Sequence, residues 1–155
     1  TGYFTIRAPK ARGVVGFLSA AGARSLGSVT IDGGNEYGSI LLVPLDDKPL
    51  EQSERILLQT VSEDANYGWK TEPVEEALKP GGPVVQAKRV LDAGGPPVIA
   101  RNLVGTVTLA RPDAALLRVT ALDLNGYPRQ ELPGGEGGSL TVRLLPDVLY
   151  YVIHK

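Results

Sequence analysis

The sequence predicts an all-β protein: a mainly antiparallel β-sandwich of about nine to twelve short strands, with little helix. Three observations predict it. Apolar runs too short for buried helices recur along the chain. Turn formers separate them, with 19 Gly and 12 Pro supplying about a fifth of all residues and no collagen-like period. The final third alternates apolar and polar residues. The sandwich types in view are jelly-roll and immunoglobulin-like, with a barrel as the other architecture.

Tyr3-Phe4-Thr5-Ile6-Arg7 alternates and stops before Pro9, as a first strand does. Gly13-Val14-Val15-Gly16-Phe17-Leu18 is a compact apolar run whose glycines permit close packing or a bulge. Ser28-Val29-Thr30-Ile31 runs into Asp32-Gly33-Gly34-Asn35, a turn segment tolerant of positive φ. Ile40-Leu41-Leu42-Val43 and Ile56-Leu57-Leu58 flank a polar segment holding Asp46-Asp47-Lys48-Pro49, and both runs read as strands with a face in the core. Residues 62–98 are the least regular. There Pro73-Val74-Glu75-Glu76-Ala77-Leu78 predicts one or two helical turns, with Pro early and acids near the positive N-terminus. Gly81-Gly82-Pro83 ends them, and Val84–Leu91 is a strand closed by Gly94-Gly95-Pro96-Pro97.

Val104–Leu109 leads through Arg111-Pro112-Asp113 to Leu117–Ala121, where Leu117, Val119 and Ala121 face the core and Arg118 and Thr120 face water. Asn125-Gly126 is a hairpin signal. Gly134-Gly135-Glu136-Gly137-Gly138 separates strand Leu140–Leu144 from the closing strand Leu149–Ile153, with one of Tyr150 and Tyr151 in the core and the other at the surface.

At 155 residues the chain fits one module, 1–155, long enough to bury roughly two thirds of its unfolded surface. A hydrophobic share of 43% and a charged share of 21% describe an ordinary globular composition. A net charge of −1 without a Lys/Arg cluster argues against nucleic acid, and no apolar run approaches the ~20 residues that span a bilayer. The opening Thr-Gly-Tyr-Phe lacks the basic start and apolar stretch of a signal peptide, and the absence of Met predicts a piece excised from a larger polypeptide.

Chemistry has few footholds here. The chain has no Cys, and its one histidine, His154, is penultimate, where a solvated strand end is expected. Neither a Ser-His mechanism nor a zinc site follows from that inventory. Carboxylates remain: Asp32, Glu36, Glu63, Asp64 and Glu72 are the candidates for a glycosidase pair, but most acids solubilise surfaces, so no catalytic residue is assigned. No cofactor is expected. Asp123-x-Asn125-Gly126 suggests calcium ligands yet explains itself as a hairpin turn, and loop carbonyls with Asp32 or Asp64 form an alternative set for a structural calcium. No Gly-rich segment opens a helix after a strand as a phosphate loop does.

The aromatics carry more. Trp69 sits in the polar segment Ser62–Lys70, outside any core periodicity. An indole face stacks on the apolar face of a pyranose while Asp, Asn and Glu bind its hydroxyls. The competing reading is that Trp69 caps the sandwich or packs on a neighbouring domain. The ligand reading gathers Trp69 with Tyr67 or Tyr37 as platforms and Asp64, Asn66, Glu36 and Asn35 as hydroxyl partners. Tyr127, beside a turn, has a weaker claim.

Gly38–Val61, with its LD-x-KPL turn and S-x-RILL strand followed by a Trp-bearing segment, resembles the C-terminal accessory β-sandwich modules of multidomain glycoside hydrolases. The likeness extends over Gly13–Gly16, Asn35–Tyr37, Leu45–Leu50, Ser53–Leu58, Asn66–Trp69, Gly105–Leu109 and Val119–Asn125. Two departures stand out: Asp47 where such modules more often have Gly, and Tyr-Gly before Trp69 where Thr-Gly is frequent. The resemblance implies a noncatalytic module following a (β/α)-barrel in a secreted, bacterial, polysaccharide-degrading enzyme. Its partners would be a polysaccharide or oligosaccharide and the upstream catalytic domain. Two expectations follow: a carbohydrate-binding module that holds the enzyme near its polymer, or a structural domain that packs on the barrel and binds no sugar.

Overall fold

A computed structural model describes residues 2–77 and 79–155. It is mostly antiparallel β, 58% strand and 5% helix, with fifteen strands among the described residues where about nine to twelve were expected. Chain contacts divide it into two compact units, residues 1–63 with 102–155, and residues 64–101.

In the first unit, β1 (Tyr3–Ala8), β2 (Ala11–Gly16), β5 (Gly38–Pro44), β6 (Arg55–Ser62), β15 (Tyr150–His154), β12 (Arg118–Leu122) and β13 (Pro128–Leu132) form one sheet in that order. A second sheet runs β14 (Ser139–Arg143), β11 (Gly105–Ala110), β4 (Val29–Gly33), β3 (Arg24–Leu26). All these pairings are antiparallel. Strand alternation does the sorting: in β5, Ile40 and Leu42 are fully buried while Ser39 and Leu41 are not, and β6 buries Ile56 and Leu58 likewise. One buried apolar cluster draws on both sheets, with Val119, Tyr151 and Ile153 from the first and Val29, Ile31, Val107, Leu109 and Leu140 from the second. It is the dominant stabilising feature, since burying each such side chain is worth about 1.5–3 kcal/mol.

The segment between β5 and β6 is locked from two directions. Asp46 accepts the backbone N–H groups of Glu54 (2.9 Å) and Lys48 (3.3 Å), which hold its carboxyl below the ordinary carboxylate value. Buried Arg111 donates to the carbonyls of Ser53 (2.6 Å) and Leu50 (3.3 Å), and its other edge grips Asp113 at 2.9 and 2.7 Å. The LD-x-KPL turn therefore has a structural reason for its first aspartate. Asp47 instead faces solvent and pairs with Lys10 at 3.1 Å.

Several expectations need correction. The apolar run from Gly13 to Leu18 is divided: β2 stops at Gly16, whose φ of 120° turns the chain into a short helix, α1 (Leu18–Ala21). Residues 73–77 are not helical but belong to β8 (Lys70–Ala77); Leu78 lies outside the described residues. β3, β7 (Asp64–Tyr67), β8, β10 (Gly95–Ala100) and β13 account for the extra strands. Thr120 does not face water: it is 7% exposed, covered by partners on the far side of its sheet. Tyr151 is the core tyrosine of the closing pair and Tyr150 is half-buried.

Candidate functional site

The second unit is one β-ribbon. β7 pairs with β10, and β8 with β9 (Val84–Asp92). Tyr67 opposes Gly95 and Lys70 opposes Asp92, so the register is constant between these two pairs, and it shifts just beyond them, between Gly95 and Val98 on one side and between Lys70 and Thr71 on the other. The break between the two ladders falls at residues 68–69 and 93–94. Gly68 and Gly94 both take positive φ there, 80° and 61°. A Cβ on Gly94 would lie 2.8 Å from the Trp69 amide nitrogen and closer still to the Tyr67 carbonyl oxygen, so the two backbones meet at van der Waals contact. The far end closes through Lys79-Pro80-Gly81-Gly82, where Gly82 N–H donates to the Lys79 carbonyl at 2.9 Å and Gly81 has φ 73°. Pro before a positive-φ Gly is the type II pattern.

This places four of the seven proposed ligand residues together on the ribbon. Trp69 is 45% exposed and sits in the break itself, its N–H donating to the Asn66 carbonyl at 3.1 Å. Tyr67, the last residue of β7, is 67% exposed. The segment Ser62–Lys70 is thus mostly strand rather than loop, which is why its aromatics are displayed at a fixed spacing. Asp64 is exposed at the start of β7. Asn66 uses its side-chain amide to bridge to the Ala93 carbonyl at 2.9 Å.

The other three belong to the first unit. Asn35 is a loop fastener: its Nδ2 donates to the Asn102 carbonyl (3.0 Å) and its Oδ1 accepts the Val104 N–H (2.7 Å). Tyr37, 43% exposed, meets Phe17 edge-on with ring centroids 5.4 Å apart. Glu36 is exposed beside it.

The remaining chemical candidates resolve into structural contacts. Asp123 Oδ1 accepts the N–H groups of Asn125 and Tyr127, both at 2.9 Å, and so builds the β12–β13 turn. Glu72 pairs with Arg89 at 3.2 Å, and Arg89 also bonds Glu76. Among the described residues no three His, Asp or Glu side chains group as metal ligands do.

Sequence reasoning missed a cluster on the outer side of the large sheet. His154 ends β15 but is half-buried rather than solvated: it is paired on both sides, and its Nε2 lies 3.0 Å from the Thr120 hydroxyl. That hydroxyl donates its only proton to Glu131 at 2.6 Å, so Nε2–H of His154 is the donor. The three residues occupy adjacent strands β15, β12 and β13 and seal Thr120 from solvent. The cross-strand spacing that unites them is invisible before the register is known.

The ribbon's burial is its most telling property. None of its described residues is buried, yet Tyr67, Trp69, Val84, Val90, Leu91, Val98 and Ile99 are all exposed. A two-stranded ribbon without a core is marginal by itself in water. No family model, no curated protein and no solved structure matches the chain.

Proposed function

We propose that the chain is a noncatalytic accessory module that docks on a protein surface through its ribbon, residues 64–101. The observation that carries this reading is the coreless ribbon with seven exposed large apolar side chains. Exposed apolar residues gathered on one element mark interaction surfaces. The resemblance of Gly38–Val61 to glycoside hydrolase accessory modules supplies the partner: the barrel domain of a secreted bacterial enzyme. In this reading the first unit is a two-sheet sandwich, supported by the single apolar cluster that both sheets feed. Hydrogen exchange tests it. Ribbon amides are expected to exchange much more slowly in the full-length polypeptide than in the isolated chain, and equal exchange in both overturns the docking.

A second reading, glycan binding, is favoured by one specific observation: Tyr67 and Trp69 flank Gly68 and are both exposed. Aromatics so displayed are suited to stacking on sugar rings. Affinity electrophoresis against soluble cellulose, xylan, mannan and pectin derivatives separates the two. Retardation of the isolated chain, lost in Trp69→Ala, establishes sugar binding by the ribbon; unchanged mobility in every gel leaves docking as the ribbon's role.

A further inference from the structure

The geometry points to a second binding site, on the outer face of the large sheet, for a carboxylate-bearing sugar ring. It does not rest on either role of the ribbon. An open groove of about 520 Å³ lies there, between Arg55 of β6, Val152 and His154 of β15, Leu122 of β12 and Pro128 of β13. That volume falls within the roughly 300–1,000 Å³ of small-ligand sites.

The chemical class follows from which groups are already engaged. Arg55, His154 and Arg118 are direct cross-strand partners over β6, β15 and β12, so their side chains stand in one row on one face. None is paired with an acid. The Arg55 guanidinium is exposed and has no partner among the described residues, Arg118 donates to the carbonyls of Ala115 and Leu117, and His154 donates to Thr120. Of the nearby acids, Glu54, which also lines the groove, faces Lys48 at 3.1 Å and Lys155 at 3.9 Å, Asp113 is held by Arg111 and Lys155, and Glu131 accepts a hydrogen bond from the Thr120 hydroxyl. The groove therefore offers one free guanidinium fork, that of Arg55, which suits a carboxylate. Its other side, Leu122, Val152 and Pro128, is apolar and suits the C–H face of a pyranose. A uronic acid residue presents both at once, with the carboxylate on Arg55 and the ring over Val152.

The test is titration of the isotope-labelled chain, followed by amide NMR, with α-1,4-linked trigalacturonate, glucuronic-acid-substituted xylotetraose, neutral maltotriose and sodium acetate. At least one uronate is expected to shift amides around Arg55, Thr120 and His154, with maltotriose and acetate about tenfold weaker or more. Arg55→Gln should weaken uronate binding about tenfold or more without altering the spectrum elsewhere, and Arg55→Lys should restore part of it. Trp69→Ala should leave this binding unchanged, which separates it from any sugar held by the ribbon. The site is overturned if neither uronate shifts those amides, if maltotriose binds equally, if acetate alone matches the uronates, or if Arg55→Gln binds as well as the parent.

Discussion

The side-chain amide of Asn66 donates to the backbone carbonyl of Ala93 across the ribbon's break, at 2.9 Å. This bond does locally what a ladder bond does elsewhere, since the two ladders flanking residues 68–69 and 93–94 are not continuous there. Asp92 reinforces it by accepting the Gly94 N–H at 2.9 Å. Asn66→Ala removes the bridge and should raise exchange rates of amides in 64–70 and 90–96, while leaving the first unit's amides untouched. The expected cost is about 0.5–1.5 kcal/mol of local stability. Gly94→Ala should do more damage, because φ of 61° and the Tyr67 and Trp69 backbones both oppose a Cβ. Uniform exchange changes over the whole chain would contradict this local assignment.

Trp69 and Tyr67 bear on binding rather than on folding. Both are exposed on an element that contains no buried residue, so Trp69→Ala and Tyr67→Ala should shift the melting temperature by only about 1–2 °C. Docking to the barrel, or glycan retardation, should instead fall by about 2 kcal/mol or more if Trp69 anchors the contact. A loss of several kcal/mol in stability would place Trp69 in a core and remove both functional readings.

How much of this was legible depended on whether the signal was local. β5 and β6 announced themselves because Ile40–Val43 and Ile56–Leu58 are apolar runs bounded by turn formers, and their pairing needs only the intervening turn. Asn125-Gly126 announced the β12–β13 turn for the same reason. Pro73-Val74-Glu75-Glu76-Ala77 misled because early Pro and nearby acids are helix-start chemistry. The segment is extended because each residue is paired with one in 84–88, and that hairpin pairing outweighs the helix-start chemistry. Thr120 failed likewise: alternation correctly turned it away from the core, but the cover from Glu131 and His154 comes from neighbouring strands. Within the candidate site, Tyr67 and Trp69 were visible as isolated aromatics, whereas the break that displays them needs Gly68 set beside Gly94.

The cluster of Asp113, Arg111 and Lys155 should make stability fall in acid. Arg111 hydrogen bonds, opposed by partial burial and aided by Lys155 at 3.0 Å, hold the Asp113 carboxyl well below its ordinary value of 3.8. A carboxyl depressed in the folded state binds protons more readily when unfolded. Its contribution is therefore complete above pH 3.8, and it is lost as pH falls from there toward the lower folded value. Asp113→Asn should lower the urea midpoint at pH 7, and the gap from the parent should narrow as pH drops below about 4. A gap that is constant from pH 7 to pH 3 would remove the charged pairing as its cause.

Tyr151 offers the sharpest test of the core. Its ring is fully buried and its hydroxyl accepts the Leu145 backbone N–H at 2.7 Å; burial pushes the phenol's pKa up, against that hydrogen bond. Tyr151→Phe keeps the ring and strips the acceptor, leaving a part-buried N–H without its partner. Such a group costs about 1–3 kcal/mol, and a chain of this length loses about 2–4 °C in melting temperature per kcal/mol. Tyr150, the next residue, is half-buried and points to the other face of β15, so Tyr150→Phe should stay within about 0.5 kcal/mol of the parent. Paired calorimetry on the two variants reads the difference. Equal melting temperatures would mean that the hydroxyl at 151 carries no stability, and that the 144–148 segment is held by the burial of Leu144 and Val148 and by its other hydrogen bonds, such as Leu144 N–H to the Gly105 carbonyl at 3.0 Å and Asp147 N–H to Asn102 Oδ1 at 2.9 Å.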